Sequence, residues 1–221
     1  TTITNFNFHL SGDMTADVTD LITETSIEAM DLEMENVNYF KKTKIGVDAT
    51  IKADLANNKY TFTENEFRIN ALTLGLDGWL ALFEDKDDMD MDLKFNAKKT
   101  EFKTILSLIP AIYMTDFNDV KTAGKLALNG YAKGVYTETS LPAFGLDLTV
   151  ADAMFKYPDL PKSVNNINID LHVDNPGGSE DNTFVNLKKF HMELAGNPID
   201  MDMKVRTPVS DANIDGGIKA Q

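Results

Sequence analysis

The sequence predicts a mainly β protein: an elongated, curved antiparallel sheet of tandem β-meander repeats, with a short amphipathic helix between the copies. Three observations carry this. Apolar and polar residues alternate with period two over most of the chain, turn residues punctuate the runs, and blocks of the first half recur in order in the second.

The alternation is cleanest in four stretches. Ile45, Val47, Ala49, Ile51 and Ala53 alternate with Gly46, Asp48, Thr50, Lys52 and Asp54. Met89, Met91, Leu93 and Phe95 alternate with Asp90, Asp92, Lys94 and Asn96. Ile167, Ile169, Leu171 and Val173 form a third run, and Ile199, Met201, Met203 and Val205 a fourth against Asp200, Asp202, Lys204 and Arg206. Such spacing puts one strand face on an apolar layer and the other in water, as in antiparallel sheets. Turn signals stand at Asn57-Asn58, Asp77-Gly78, Asn129-Gly130, Asn175 to Gly178, Gly196 to Pro198 and Asp215 to Gly217. Strands are therefore expected near 2–10, 12–20, 27–38, 44–55, 59–64, 66–76 and 88–97. A second set is expected near 120–136, 144–155, 165–173, 183–188, 190–195 and 199–206.

One segment departs from the alternation. Phe102, Ile105, Leu106, Leu108 and Ile109 follow helical spacing, Thr100 suits the N-cap with Glu101 in the first turn, and Pro110 ends the run. The spacing predicts a helix between Thr100 and Tyr113. Ile22 to Ala29 offers a second helical turn, against which its threonines favour a strand.

The repeat is read from four blocks. Leu10-Ser-Gly matches Leu128-Asn-Gly, and Val37-Asn-Tyr-Phe matches Phe155-Lys-Tyr-Pro. The run from Ile45 matches that from Ile167, and Met89-Asp-Met-Asp-Leu-Lys-Phe matches Ile199-Asp-Met-Asp-Met-Lys-Val. The order of blocks is kept, so the chain divides into a first β unit at 1–99, a short helix and connection at 100–116, and a second β unit at 117–221. Such a chain is expected to be a segment of a longer β array.

Composition narrows function by exclusion. The 221 residues carry 21 Lys and Arg against 35 Asp and Glu, a net charge of −14. Both halves are acidic, which argues against nucleic acid as a partner. A hydrophobic share of 43% argues against intrinsic disorder. The absence of cysteine removes disulfides, thiolate metal sites and cysteine nucleophiles. His9, His172 and His191 have no helical zinc spacing, and no phosphate-binding glycine loop or serine elbow occurs. Asp90, Asp92, Asp200 and Asp202 occupy the polar side of a repeated strand, where solvation explains them better than catalysis. The acidic loop Glu84 to Asp88 offers oxygens to calcium but lacks the glycine and spacing of an EF-hand. Neither a cofactor nor a catalytic constellation is expected, and the protein reads as a non-enzyme. Trp79, beside Asp77-Gly78, reads as a partly exposed residue at a strand end.

The informative residues are apolar. A long one-sided sheet has a wide apolar face and only a short helix to cover it, and an uncovered face signals a ligand or partner. The candidate groove or core face comprises Ile45, Val47 and Ile51; Met89, Met91, Leu93 and Phe95; Leu126 and Leu128; Ile167, Ile169 and Leu171; and Ile199, Met201, Met203 and Val205. Its methionines are unbranched and polarizable, which suits changing partners such as acyl chains.

The stretch Phe102-Lys-Thr-Ile-Leu-Ser-Leu-Ile-Pro, followed by a strand with Gly124, Leu126, Leu128 and Gly130 in the pattern G-x-L-x-L-x-G, resembles the AsmA family. Leu141-Pro-Ala-Phe-Gly-Leu-Asp-Leu and Phe155-Lys-Tyr-Pro-Asp-Leu-Pro are similar to its repeats of the Bacteroidetes type. The resemblance covers residues 100–221 directly and residues 1–99 through the internal repeat. It implies a periplasmic, β-rich body of a protein anchored in the inner membrane by an N-terminal helix that this chain lacks. It also implies a role in outer-membrane and envelope biogenesis, with lipid acyl chains held or conducted along an apolar sheet face, as in the distantly similar TamB and bridge-like lipid-transfer proteins. Envelope proteins are the other expected partners. The reading from another class is an envelope interaction module that binds a protein or glycan.

Overall fold

In a computed structural model, which describes residues 1–34, 37–84, 86–97, 100–108, 120–157 and 161–220, the chain forms one antiparallel sheet. Its twelve strands are β1 (Thr2–Ser11), β2 (Val18–Met34), β3 (Val37–Asp54), β4 (Lys59–Ile69), β5 (Leu72–Leu82), β6 (Met89–Ala97), β7 (Lys121–Tyr136), β8 (Ala143–Lys156), β9 (Val164–Asn175), β10 (Phe184–Leu194), β11 (Asn197–Arg206) and β12 (Asn213–Ala220). Each strand pairs with its sequence neighbours, so spatial order equals chain order and β1 and β12 are the outermost strands of the described sheet. Twelve strands at about 4.8 Å spacing make a sheet roughly 50 Å across. Register shifts bend it between Ile27 and Leu32 of β2, between Val150 and Phe155 of β8, and between Leu187 and Lys189 of β10.

Among the described residues, six strands precede the one α-helix and six follow it. The matched blocks from Ile45 and Ile167 fall on the third strand of each six, β3 and β9, and Leu10 and Leu128 fall on β1 and β7. The other two pairs do not share a rank: Val37 opens β3 while Phe155 lies in β8, and Met89 opens β6 while Ile199 lies in β11.

The strands correct several sequence expectations. The segments expected at 12–20 and 27–38 are replaced by one long β2, and the turn falls earlier, around Gly12 to Asp17. Ile22 to Ala29 belongs to β2 and is strand, as its threonines favoured; Thr19, Thr23 and Thr25 stand where apolar residues would have joined the expected segments into one alternating run. Asp77-Gly78 lies inside β5, Asn129-Gly130 inside β7, and Asp215 to Gly217 inside β12; none of them turns the chain. At Gly78, φ is 116° and a Cβ would stand 1.9 Å from the Asp92 carbonyl oxygen, so glycine is there for a close strand approach. The runs at 183–188 and 190–195 are one strand, β10, whose interruption is the bulge after Leu187.

A gap in the β4–β5 ladder between Phe62 and Phe67 is filled by a side chain. The Asn65 carboxamide accepts from the Leu76 backbone N–H at 2.7 Å and donates to the Leu76 carbonyl, replacing the missing backbone pair.

The helix, α1, spans Phe102–Leu106. It is shorter at its start than the sequence suggested: Glu101, rather than Thr100, is the N-cap, and no side chain caps it. Its extension through Ile109 to Tyr113, with Pro110, lies outside the described residues. Both ends are tied to the sheet. The Leu126 N–H donates to the Thr100 carbonyl at 2.6 Å, and at the far end Asn70 Nδ2 donates to the Ser107 carbonyl at 2.6 Å. The helix thereby lies across the sheet between β7 and the β4–β5 turn. Among the described residues, no helix is long and apolar enough to cross a membrane.

Candidate functional site: one apolar sheet face

Directly opposed residues of an antiparallel pair share a face, so the register sorts every side chain. One row runs Leu76, Phe95, Gly130, Leu146, Val173, Val185, Val205 and Ile214 across β5 to β12. Beside it run Leu128, Leu148, Leu171, Leu187 and Met203, then Leu126, Val150, Ile169, Phe190 and Met201. On the other half, Phe8, Thr25, Val47, Phe67, Leu74 and Ala97 form a row through β1 to β6. Leu21, Ile51, Phe62, Gly78, Leu93 and Ala132 form another, and Ile45 lies opposite both Ile27 and Ile69. A single apolar face therefore extends over all twelve strands.

All sixteen residues expected to form the apolar face lie on it. Met89 and Met91 oppose Leu82 and Leu80, Ile167 opposes Ala153, and Ile199 opposes Met192. What differs along the face is cover. Phe102 and Leu106 of α1 pack on Leu72, Leu126, Leu128, Val150, Ala153, Val164 and Ile167, which are all buried. The other named candidates are half-buried: Ile45, Val47, Ile51, the β6 residues, Ile169, Leu171 and the β11 residues. At the edges the face is open, with Phe6 and Phe8 58–59% exposed on β1 and Ile214 and Ile218 65% and 72% exposed on β12. Buried and open parts thus coexist on one surface: the largest buried cluster lies under α1, and Leu21, Ala49, Ala53 and Leu187 are buried outside it.

The opposite face carries the charge. Arg68 of β4 pairs with Asp48 and Glu66, Lys133 of β7 with Asp92 at 2.7 Å, and Lys188 with Asp170 at 3.9 Å. The hydrogen bond from Lys133 holds the Asp92 carboxyl below its ordinary pKa and raises the Lys133 ammonium above its own. Asp90 is half-buried, while Asp200 and Asp202 are exposed as expected. Two histidines oppose aspartates across strands: His172 Nδ1 lies 2.7 Å from Asp147 Oδ1, and His191 Nδ1 lies 2.7 Å from Asp200 Oδ1. Sequence spacing does not reveal these pairs, because partners 25 and 9 residues apart meet only through the register.

Trp79 also lies on the polar face, in the middle of β5 rather than at a strand end, with Lys59 Nζ 3.9 Å from its ring centroid. Among the described residues, no group of three or more His, Asp or Glu is placed to hold a metal ion; Asp85 of the acidic loop lies outside them.

Compared with family models, curated proteins and solved structures, the chain matches none.

Proposed function

We propose that this chain is a non-catalytic, periplasmic segment of an AsmA-like envelope protein, holding or conducting lipid acyl chains along its apolar sheet face in the service of outer-membrane biogenesis. The observation that carries the reading is the face itself: apolar rows that cross all twelve strands, with α1 packed over their centre and half-buried or exposed apolar side chains over much of the rest, although Leu21, Ala49, Ala53 and Leu187 are buried outside that central cluster. Each acyl methylene moved from water onto such a surface contributes about 0.8 kcal/mol, with no directed polar contact needed. The rows run across the strands, so a chain lying along them crosses equivalent apolar positions from one strand to the next. The AsmA-like assignment, and with it an inner-membrane anchor on the parent protein, is supported by the G-x-L-x-L-x-G pattern, whose Leu126 and Leu128 line this face directly beneath the helix.

The test is native mass spectrometry and lipid extraction of the purified protein, with titration of an environment-sensitive fluorescent fatty acid. Co-purifying lipid and saturable, exchangeable probe binding are expected. Probe fluorescence that does not change, together with a lipid-free extract, would remove the reading.

A further inference from the structure

The two sheet edges carry an inference that goes beyond lipid holding and does not depend on it. Edge strands are usually blunted by charge, proline or bulges, because their free backbone groups template another strand. β1, Thr2–Ser11, contains no Lys, Arg, Asp, Glu or Pro, and all ten residues are exposed. Its Phe6 and Phe8 rings stack with centroids 6.3 Å apart on the apolar face. β12, Asn213–Ala220, is exposed throughout and lacks proline; its charges, Asp215 and Lys219, lie on the polar face.

The two edges fit each other. An even number of strands in up-and-down order makes β1 and β12 run in opposite directions. A second copy's β1 laid beside β12, apolar faces on one side, therefore continues the antiparallel meander. In the register that sets Gly216 opposite Phe8, Ile218 meets Phe6 and Ile214 meets Leu10 on the apolar face, while Asp215 meets His9 on the polar face. Both unusual pairings already occur inside the sheet. Phe95 lies over Gly130 directly opposite it, and the opposed pairs Asp147–His172 and Asp200–His191 are hydrogen-bonded at 2.7 Å.

We propose that β12 of one copy pairs with β1 of a second copy in this register, joining chains head to tail into a longer sheet whose apolar face is continuous across the junction. The contact is heterologous, so each joined pair keeps one free β1 and one free β12 for further growth.

The chain has no cysteine, so introduced ones report the junction alone. Asn7 and Gly217, opposed in this register and both exposed, are changed in N7C, in G217C and in the double variant. Under oxidation the double variant should form a ladder of linked chains, and a mixture of the two single variants should form a linked dimer that neither forms alone. In sedimentation velocity, D215K and H9D should each weaken self-association, and D215K/H9D should restore it by exchanging the charges. A wild-type chain that stays monomeric at all concentrations overturns the proposal. So does self-linking of N7C alone, which would place β1 against β1.

Discussion

Phe95 of β6 lies with its ring over Gly130 of β7: a Cβ on that glycine would stand 2.1 Å from the ring's Cζ. The two are directly opposed on the apolar face, and Gly130 has no positive φ that would itself require glycine. The ring, rather than the backbone, selects the residue. Gly130→Ala should destabilise the sheet by about 1–3 kcal/mol through overpacking. In a Phe95→Ala background the same change should cost much less. A double-mutant cycle by chemical denaturation reads the coupling, and independent, additive effects would show that the ring does not set the requirement.

Asn175, at the end of β9, has a fully buried side chain that organises the β9–β10 connection. Its Nδ2 donates to the Ser179 carbonyl at 3.0 Å and to Thr183 Oγ1 at 2.9 Å, and its Oδ1 accepts from the Gly177 N–H at 2.8 Å. Asn175→Ala removes all three hydrogen bonds together with a fully buried side chain, which should cost on the order of 2–4 kcal/mol. Amide exchange at Gly177 should accelerate with it. A loss below about 0.5 kcal/mol, the scale of ordinary surface substitutions, would show that water replaces the side chain there.

The sequence made the faces legible and the register illegible. Period two keeps Ile199, Met201, Met203 and Val205 on one side whatever strand they pair with, so the apolar face needs no knowledge of neighbours. Where the pattern is diluted, as by Thr19, Thr23 and Thr25 on β2, one long strand reads as two shorter ones with a gap between them. Glycine is ambiguous in the same way. Gly78 and Gly130 look like turns in isolation, yet each is selected by a group on the paired strand, the Asp92 carbonyl and the Phe95 ring. The degree of cover along the face was also beyond local pattern: Leu126 and Met203 have the same spacing, yet Leu126 is buried in the cluster under α1 and Met203 is half-buried outside it.

The Asp92–Lys133 pair should leave a pH signature at both ends of the range. Asp92 has its folded-state pKa lowered, so its contribution is complete above the ordinary aspartate value of about 4 and is lost as pH falls through the folded value. Lys133 has its pKa raised, so its contribution is complete below about 10.4 and is lost as pH rises through the folded value. Wild type should therefore exceed Lys133→Met in stability by a constant amount at intermediate pH. That difference should shrink in strong acid and in strong alkali. Salt should reduce it throughout, since the pair lies on the solvated face. A difference independent of pH would assign the effect of the variant to the lysine's alkyl stem instead.

The contrast between covered and open parts of the apolar face gives the sharpest test of what that face does. Leu126 is 2% exposed beneath Phe102 and Leu106, whereas Met91 and Met203 are half-buried beyond the described helix, beside Gly134 and Gly216. A carboxylate at Leu126 has no access to water and no partner, and Leu126→Asp should cost more than about 3 kcal/mol or prevent folding. At Met91 or Met203 the charge turns into solvent, and Met91→Asp and Met203→Asp should each cost under about 1 kcal/mol. Fatty-acid binding should behave oppositely: a charge in the open rows disrupts the apolar path, so both methionine variants should lose probe binding while their unfolding midpoints fall by no more than that small cost implies. Met91→Leu and Met203→Leu, which keep the face apolar, should retain it. If both aspartate variants instead unfold as readily as Leu126→Asp, the rows are closed core along their whole length and have no room for an acyl chain.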